Sequence, residues 1–135
     1  MRRCTIIQDV KIVVVENDPE LLHLMLNTLR YCVNREVNGF GNIPQARQYF
    51  KEGGKADILI LNVGFPDANG FDFMAQVKQQ HAQMTCIAVS GVKVHAEIAG
   101  EKGADGFLGK PFEINDLFDI VQCCVVEASR EKQAI

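Results

Sequence analysis

Apolar positions along the chain alternate between short unbroken runs and longer segments that repeat every three or four residues. Lys11 to Val15 is a continuous apolar run led by lysine, the pattern of a strand buried on both faces of a parallel sheet. A helix is predicted to follow at once. Asp18 suits an N-cap, Pro19 suits the first helical position, and Leu22, Met25, Leu26, Leu29 and Val33 make one apolar stripe. The second unit is weaker. Arg35 to Phe40 alternates loosely, and the helix after it takes Asn42 as its cap, with Pro44 in the first turn, Ala46, Tyr49 and Phe50 turned inward, and Gly53-Gly54 ending it.

Three more units complete the series. Asp57 to Leu61 is a third buried strand, and the turn-rich Pro66-Asp67-Ala68-Asn69-Gly70 leads to a helix with Phe73, Met74 and Val77 on one side. Asn69-Gly70 reads as a turn that needs positive φ. Thr85 to Ser90 is the fourth strand. After it comes a marginal helix from about Lys93 to Lys102, with Val94, Ile98 and Ala99 as its apolar face and Gly100 inside it. Gly106 to Leu108 is a short last strand, and Ile114, Leu117, Phe118, Val121 and Val125 mark the final helix. Strands alternating with helices require right-handed crossovers and a parallel sheet covered on both sides. The expected fold is therefore a doubly wound α/β domain, in which ligands gather at the carboxyl ends of the strands.

Bulk properties narrow the function. A chain of 135 residues with 47% apolar content fills one core. With 14 basic and 17 acidic residues, a net charge of −3 provides no basic stripe for a phosphate backbone, so direct nucleic-acid binding is not expected. The apolar runs Ile12 to Val15 and Ile58 to Leu61 are too short to span a bilayer. Met1-Arg2-Arg3-Cys4 carries charge without an apolar stretch behind it and does not read as a secretory signal, so a cytoplasmic location and no membrane contact are expected. The cysteines Cys4, Cys32, Cys86, Cys123 and Cys124 show no C-x-x-C spacing and read as reduced thiols, with Cys86 and Cys123 as small apolar filler. His23, His81 and His95 are scattered and read as helix and loop surface.

The predicted strand ends supply Glu16-Asn17-Asp18, Asn62, Ser90-Gly91 and Lys110-Pro111. Four segments carry a resemblance: Val15-Glu16-Asn17-Asp18-Pro19-Glu20; Asp57 to Asn62 with Phe65-Pro66-Asp67-Ala68-Asn69-Gly70; Val89-Ser90-Gly91; and Gly103 through Phe107 and Lys110 to Phe112. In this order and spacing, over residues 11–127, the chain resembles response-regulator receiver domains of two-component signalling. The resemblance implies a flavodoxin-like receiver fold, a five-stranded parallel sheet of order 2-1-3-4-5. Residues 1–10 would then form an N-terminal extension, 11–127 the receiver, and 128–135 a polar tail or the start of a linker.

In that family, two acidic residues after the first strand and an aspartate ending the third hold magnesium, and that aspartate attacks phosphorus. The equivalent positions are Glu16, Asn17 and Asn62. A carboxamide oxygen carries no full charge, so phosphoryl transfer to Asn62 should be slower by orders of magnitude. Magnesium wants hard anionic oxygens. Glu16, Asn17, Asn62 and the Gly64 backbone would form at most a weak site, so no cofactor is expected. Glu16 and Lys110 are instead expected to pair directly or through water. Asp18 is assigned to the helix cap. The resemblance also makes Ser90 the phosphoryl-contacting hydroxyl, Gly91 the small residue beside it, Phe107 the aromatic switch position and Lys110 the cation, with a cis Lys110-Pro111 bond.

The last helix is apolar almost all round from Leu117 to Val126, with Ile120, Cys123 and Val126 outside the stripe that faces the sheet. In receivers this helix and the one before it serve dimerisation and docking, so a protein partner or a second copy is expected there. The leading reading is a non-enzymatic receiver-like module acting by phosphorylation-independent interaction. Two alternatives stand beside it: a receiver that accepts phosphate on Asp18 or Glu16, and an engineered Asp-to-Asn form, which would have to explain Asn17 as well. A flavin or nucleotide site is disfavoured, because Glu16-Asn17-Asp18-Pro19 would repel phosphate.

Overall fold

The computed structural model describes residues 10–32, 36–65 and 69–133, with side chains described as far as Cys124 except that of Cys32. Val33, Arg35 and Pro66-Asp67-Ala68 lie outside these residues. Ten elements alternate: β1 (Ile12–Val15), α1 (Pro19–Cys32), β2 (Val37–Phe40), α2 (Ile43–Lys51), β3 (Ile58–Asn62), α3 (Gly70–Gln80), β4 (Thr85–Ser90), α4 (His95–Glu101), β5 (Gly106–Gly109) and α5 (Ile114–Gln133). The strands form one parallel sheet of order β2-β1-β3-β4-β5, the order that the resemblance implies.

Strand alternation divides the core into two layers. Ile12, Val14, Ile58, Ile60, Ile87 and Val89 meet Met25 and Leu29 of α1 and Leu117, Phe118 and Val121 of α5. Val13, Val15, Leu59, Leu61, Cys86 and Ala88 meet Ile43 and Ala46 of α2, Phe73, Met74 and Val77 of α3, and Ala99 of α4. Every residue of β1 and β3 is buried, which is why their runs show no polar alternation. Asp18 caps α1, its Oδ1 accepting from the amides of Glu20 at 3.0 Å and Leu21 at 3.4 Å. Asn42 caps α2 by accepting from the Gln45 amide.

Several expectations require correction. Asn69 has φ −87° and caps α3 by accepting from the Asp72 amide, so Asn69-Gly70 is a helix start and not a positive-φ turn. Gly70 is demanded by close approach: a Cβ there would lie 2.7 Å from Val63 Cα. Ile43, unassigned by the pattern, is buried, while Tyr49 and Phe50 pack inward against the same layer as expected and stay half-buried, because α2 covers the edge strand β2. α4 begins at His95 rather than Lys93, and Val94 is exposed. In α5, Ile114 is exposed, while Ile120 packs against the core; a Cβ on Gly106 would come within 3.1 Å of Ile120 Cδ1. The buried cysteine of the pair is Cys124, and Cys123 is exposed. The backbone of α5 continues helical to Gln133, through most of the segment read as a polar tail.

Candidate functional site

Among the described residues, the buried polar or charged side chains are Glu16, Asn62 and Ser90. They stand at the carboxyl ends of three adjacent strands, β1, β3 and β4, where a doubly wound sheet concentrates its chemistry. Burying three polar groups side by side in an apolar sheet is costly unless each finds partners.

Asn62, the last residue of β3, turns its Oδ1 to the Gly64 amide at 2.8 Å. That contact fixes the orientation of the carboxamide, since the Gly64 N–H needs an acceptor. Its Nδ2 therefore points into the pocket. It donates to Asn17 Oδ1 at 2.8 Å and to Glu16 Oε2 at 3.2 Å. Glu16 Oε2 also accepts from the Asp18 amide at 3.0 Å. The remaining carboxylate oxygen, Oε1, lies 2.7 Å from Lys110 Nζ. The ammonium approaches out of line, so Oε1 has no aligned hydrogen bond and is held by charge. Lys110 is brought there by its amide, which donates to the Ser90 carbonyl, and the Lys110-Pro111 bond is cis, as the resemblance implies. The Glu16–Lys110 contact expected from the sequence thus forms directly.

The other half of the site is built on β4. Ser90 Oγ accepts from the Val92 amide at 3.0 Å and lies 2.7 Å from Nδ1 of His95. The His95 ring stands edge-on to Phe71 of α3, centroids 5.2 Å apart at 85°. Sequence reasoning assigned His95 to the surface. The structure brings it to the site, half-buried, and the available signal was its position at the start of the helix five residues beyond a strand-end serine. His23 keeps the surface role read from the sequence, while His81 caps the end of α3 beside Phe50.

Phe107 is half-buried against the layer that contains Ala99. Gly91 is exposed, and a Cβ on it would meet Lys110 Cβ at 3.7 Å. Asp18, Leu21, Lys110, Pro111 and Phe112 line an open cleft beside the ion pair. No group of three or more His, Cys, Asp or Glu side chains converges among the described residues. Away from the site, burial in β4 pushes the Cys86 thiol up to about 12, opposed by Lys78 and assisted by Asp105, which leaves it protonated and inert.

Chain topology and the placing of these polar groups define a doubly wound domain with its site at the carboxyl edge of the sheet. The sequence pattern of the response regulator receiver domain matches residues 12–122, and the chain belongs to that family. It is 27% identical over 112 residues to the DNA-binding transcriptional regulator NtrC of Azospirillum brasilense, covering 82% of this chain and 23% of that protein. It is 28% identical over 111 residues to the response regulator ArlR of Staphylococcus aureus, covering 79% of this chain and 48% of the relative. The chain therefore spans a quarter to a half of the length of these relatives. Among solved structures, a CheY-like receiver domain protein from Methanospirillum hungatei superposes with a TM-score of 0.82 at 19% identity, covering 90% of this chain and 98% of that one. The beryllofluoride-activated NtrC4 receiver domain dimer gives 0.78 at 22% identity, covering 87% and 98%. No helix among the described residues is long and apolar enough to cross a membrane.

Proposed function

We propose that this receiver is a non-enzymatic signalling module that does not accept phosphate at the usual site and acts by phosphorylation-independent protein–protein interaction. The observation that carries this reading is the orientation of Asn62, whose Nδ2 donates to both Glu16 Oε2 and Asn17 Oδ1. An aspartate there would set a third oxygen against those two, a cluster that calls for a cation. The carboxamide supplies two N–H groups in the cation's place.

The residues present do not fit magnesium. Among the described residues, Glu16 is the one carboxylate bonded to Asn62, and it is already paired with Lys110 through Oε1. Asn62 offers a donor where a metal needs an oxygen. A nucleophile is missing as well, since an amide oxygen engaged by Gly64 has neither the charge nor the freedom to attack phosphorus. The two other acidic groups are committed elsewhere: Asp18 Oδ1 caps α1, and both Glu16 oxygens have partners. Phosphate uptake on either would dismantle a helix start or an ion pair.

In this reading the partner is a protein or a second copy of the chain, engaged through α5 and α4. Val92 and Val94 just before α4 and Ile114 at the start of α5 are exposed, and NtrC4, a similar receiver, is a dimer in its activated form. A cytoplasmic location and no direct nucleic-acid contact go with it. The test is incubation with acetyl phosphate and magnesium, read by intact mass, for the natural chain, Asn62→Asp, and Asn62→Asp with Asn17→Asp. The natural chain should gain no phosphoryl group and the double variant should gain one. A phosphoryl group on the natural chain, mapped to Asp18 or Glu16, would overturn the proposal, as would an octahedral magnesium ion on Glu16 and Asn62 in crystals of the natural chain.

A further inference from the structure

We propose that His95 is the residue through which the Ser90 hydroxyl, at the floor of the site, holds the first turn of α4, so that α4 answers to whatever Ser90 bonds. The inference goes beyond the function proposed above and does not depend on it.

α4 has little else to hold it. It is seven residues long, its N-cap is Val94 in the αR region with no side-chain cap, and Ala99 is its one buried residue. A helix this short does not persist without tertiary anchoring. Its first-turn amides, those of His95 and Ala96, reach only the Val92 and Lys93 carbonyls of the preceding turn. The His95 side chain supplies the missing anchor. Its ring is held edge-on by Phe71 and its Nδ1 meets Ser90 Oγ at 2.7 Å. A serine hydroxyl has one proton. Because Oγ accepts from the Val92 amide, that proton is the one available for an unprotonated Nδ1. With Nδ1 unprotonated, an acceptor entering the site takes the proton from His95 and in doing so releases the start of α4. Phe107, the aromatic that the family resemblance puts in the switch role, packs against the Ala99 layer instead.

The test is amide hydrogen exchange on the full chain, read at Ala99 of α4 with Val14 and Ile60 as core references. His95→Phe keeps a ring beside Phe71 and removes the bond. It should speed exchange at Ala99 about fivefold, the worth of one ordinary hydrogen bond, and leave Val14 and Ile60 unchanged. His95→Asn, whose side-chain oxygen can take the place of Nδ1, should stay within about twofold of the natural chain. Ser90→Ala should cost at least as much as His95→Phe, since it also takes the acceptor from the Val92 amide, and His95→Phe added to Ser90→Ala should change nothing further, because the shared bond is already gone. Exchange at Ala99 unaltered in His95→Phe, effects of the two substitutions that add, or no rescue by His95→Asn would each overturn the proposal. So would a larger effect from Phe107→Leu than from His95→Phe.

Discussion

The two halves of the site differ in how many bonds hold them. On the β1–β3 side, Glu16, Asn17 and Asn62 are tied by four hydrogen bonds, one each from the Asp18 and Gly64 amides and two from Asn62 Nδ2, and by the Lys110 ion pair. On the β4–α4 side a single hydroxyl joins the sheet to a short helix. Redundant bonds make the first half stiff and slow to respond to any one change. A lone bond makes the second half the place where the domain can be moved. Substitutions should therefore cost stability on the first side and local order on the second.

The largest effect should come from Lys110→Met. It leaves the Glu16 carboxylate, 1% exposed, without a cation, and an unpaired buried charge costs about 3 kcal/mol, the low end for such groups because Lys110 reaches solvent. Urea unfolding would read it, and Glu16→Gln in the same chain should restore more than half. A loss under about 1 kcal/mol would mean that the pair behaves as a surface contact and that the stiff half is weaker than its bonds imply. Asn62→Asp should follow. Without divalent ions it turns two hydrogen bonds into oxygen–oxygen contacts and should cost about 2 kcal/mol. Equal or greater stability of this variant in a chelator would remove the basis for treating the carboxamide as the pocket's internal cation.

Gly70→Ala probes the same half without touching charge. The added methyl would press on the backbone of Val63, next to Asn62, and overpacking of this kind costs about 2 kcal/mol. Its melting temperature should fall while α4 exchange stays put. A rise in Ala99 exchange with β3 undisturbed would join the halves that the bonding pattern separates.

These contrasts also explain what could be read in advance. Strand order was implied by the family resemblance. The alternating strands and helices and the strand-end residues Glu16, Asn62 and Lys110 were legible, because both-face burial leaves uninterrupted apolar runs and because strand ends in a doubly wound sheet converge. His95 was not, since its meeting with Ser90 depends on how the loop from Gly91 to Val94 turns, and no periodicity encodes that. Ile120 misled for a related reason. Gly106 leaves room beside β5, so α5 buries a wider arc than its stripe suggests. Asn69-Gly70 carried a turn signature but serves as a cap followed by a tight helix–strand approach. Composition shows which residues can do this, and only packing shows which purpose they serve.

The smallest effect near neutral pH concerns Cys86, in the strand that ends at Ser90. Its thiol is raised from 9.0 to about 12 by burial first, with Lys78 lowering it and Asp105 raising it. Below the unfolded value both states hold the proton, so the group adds no pH dependence. As pH climbs from 9.0 toward 12, the unfolded thiol ionises and the folded one does not. The unfolded chain then gains and stability falls. Lysines and tyrosines titrate in the same window, so the measurement is a difference: unfolding free energy against pH for the natural chain minus that for Cys86→Ala. The difference should be flat up to pH 9 and then drift in favour of the variant. A flat difference throughout would mean that water reaches β4 beneath Ser90, and that the sheet under the responsive half of the site is looser than the packing around Cys86 indicates.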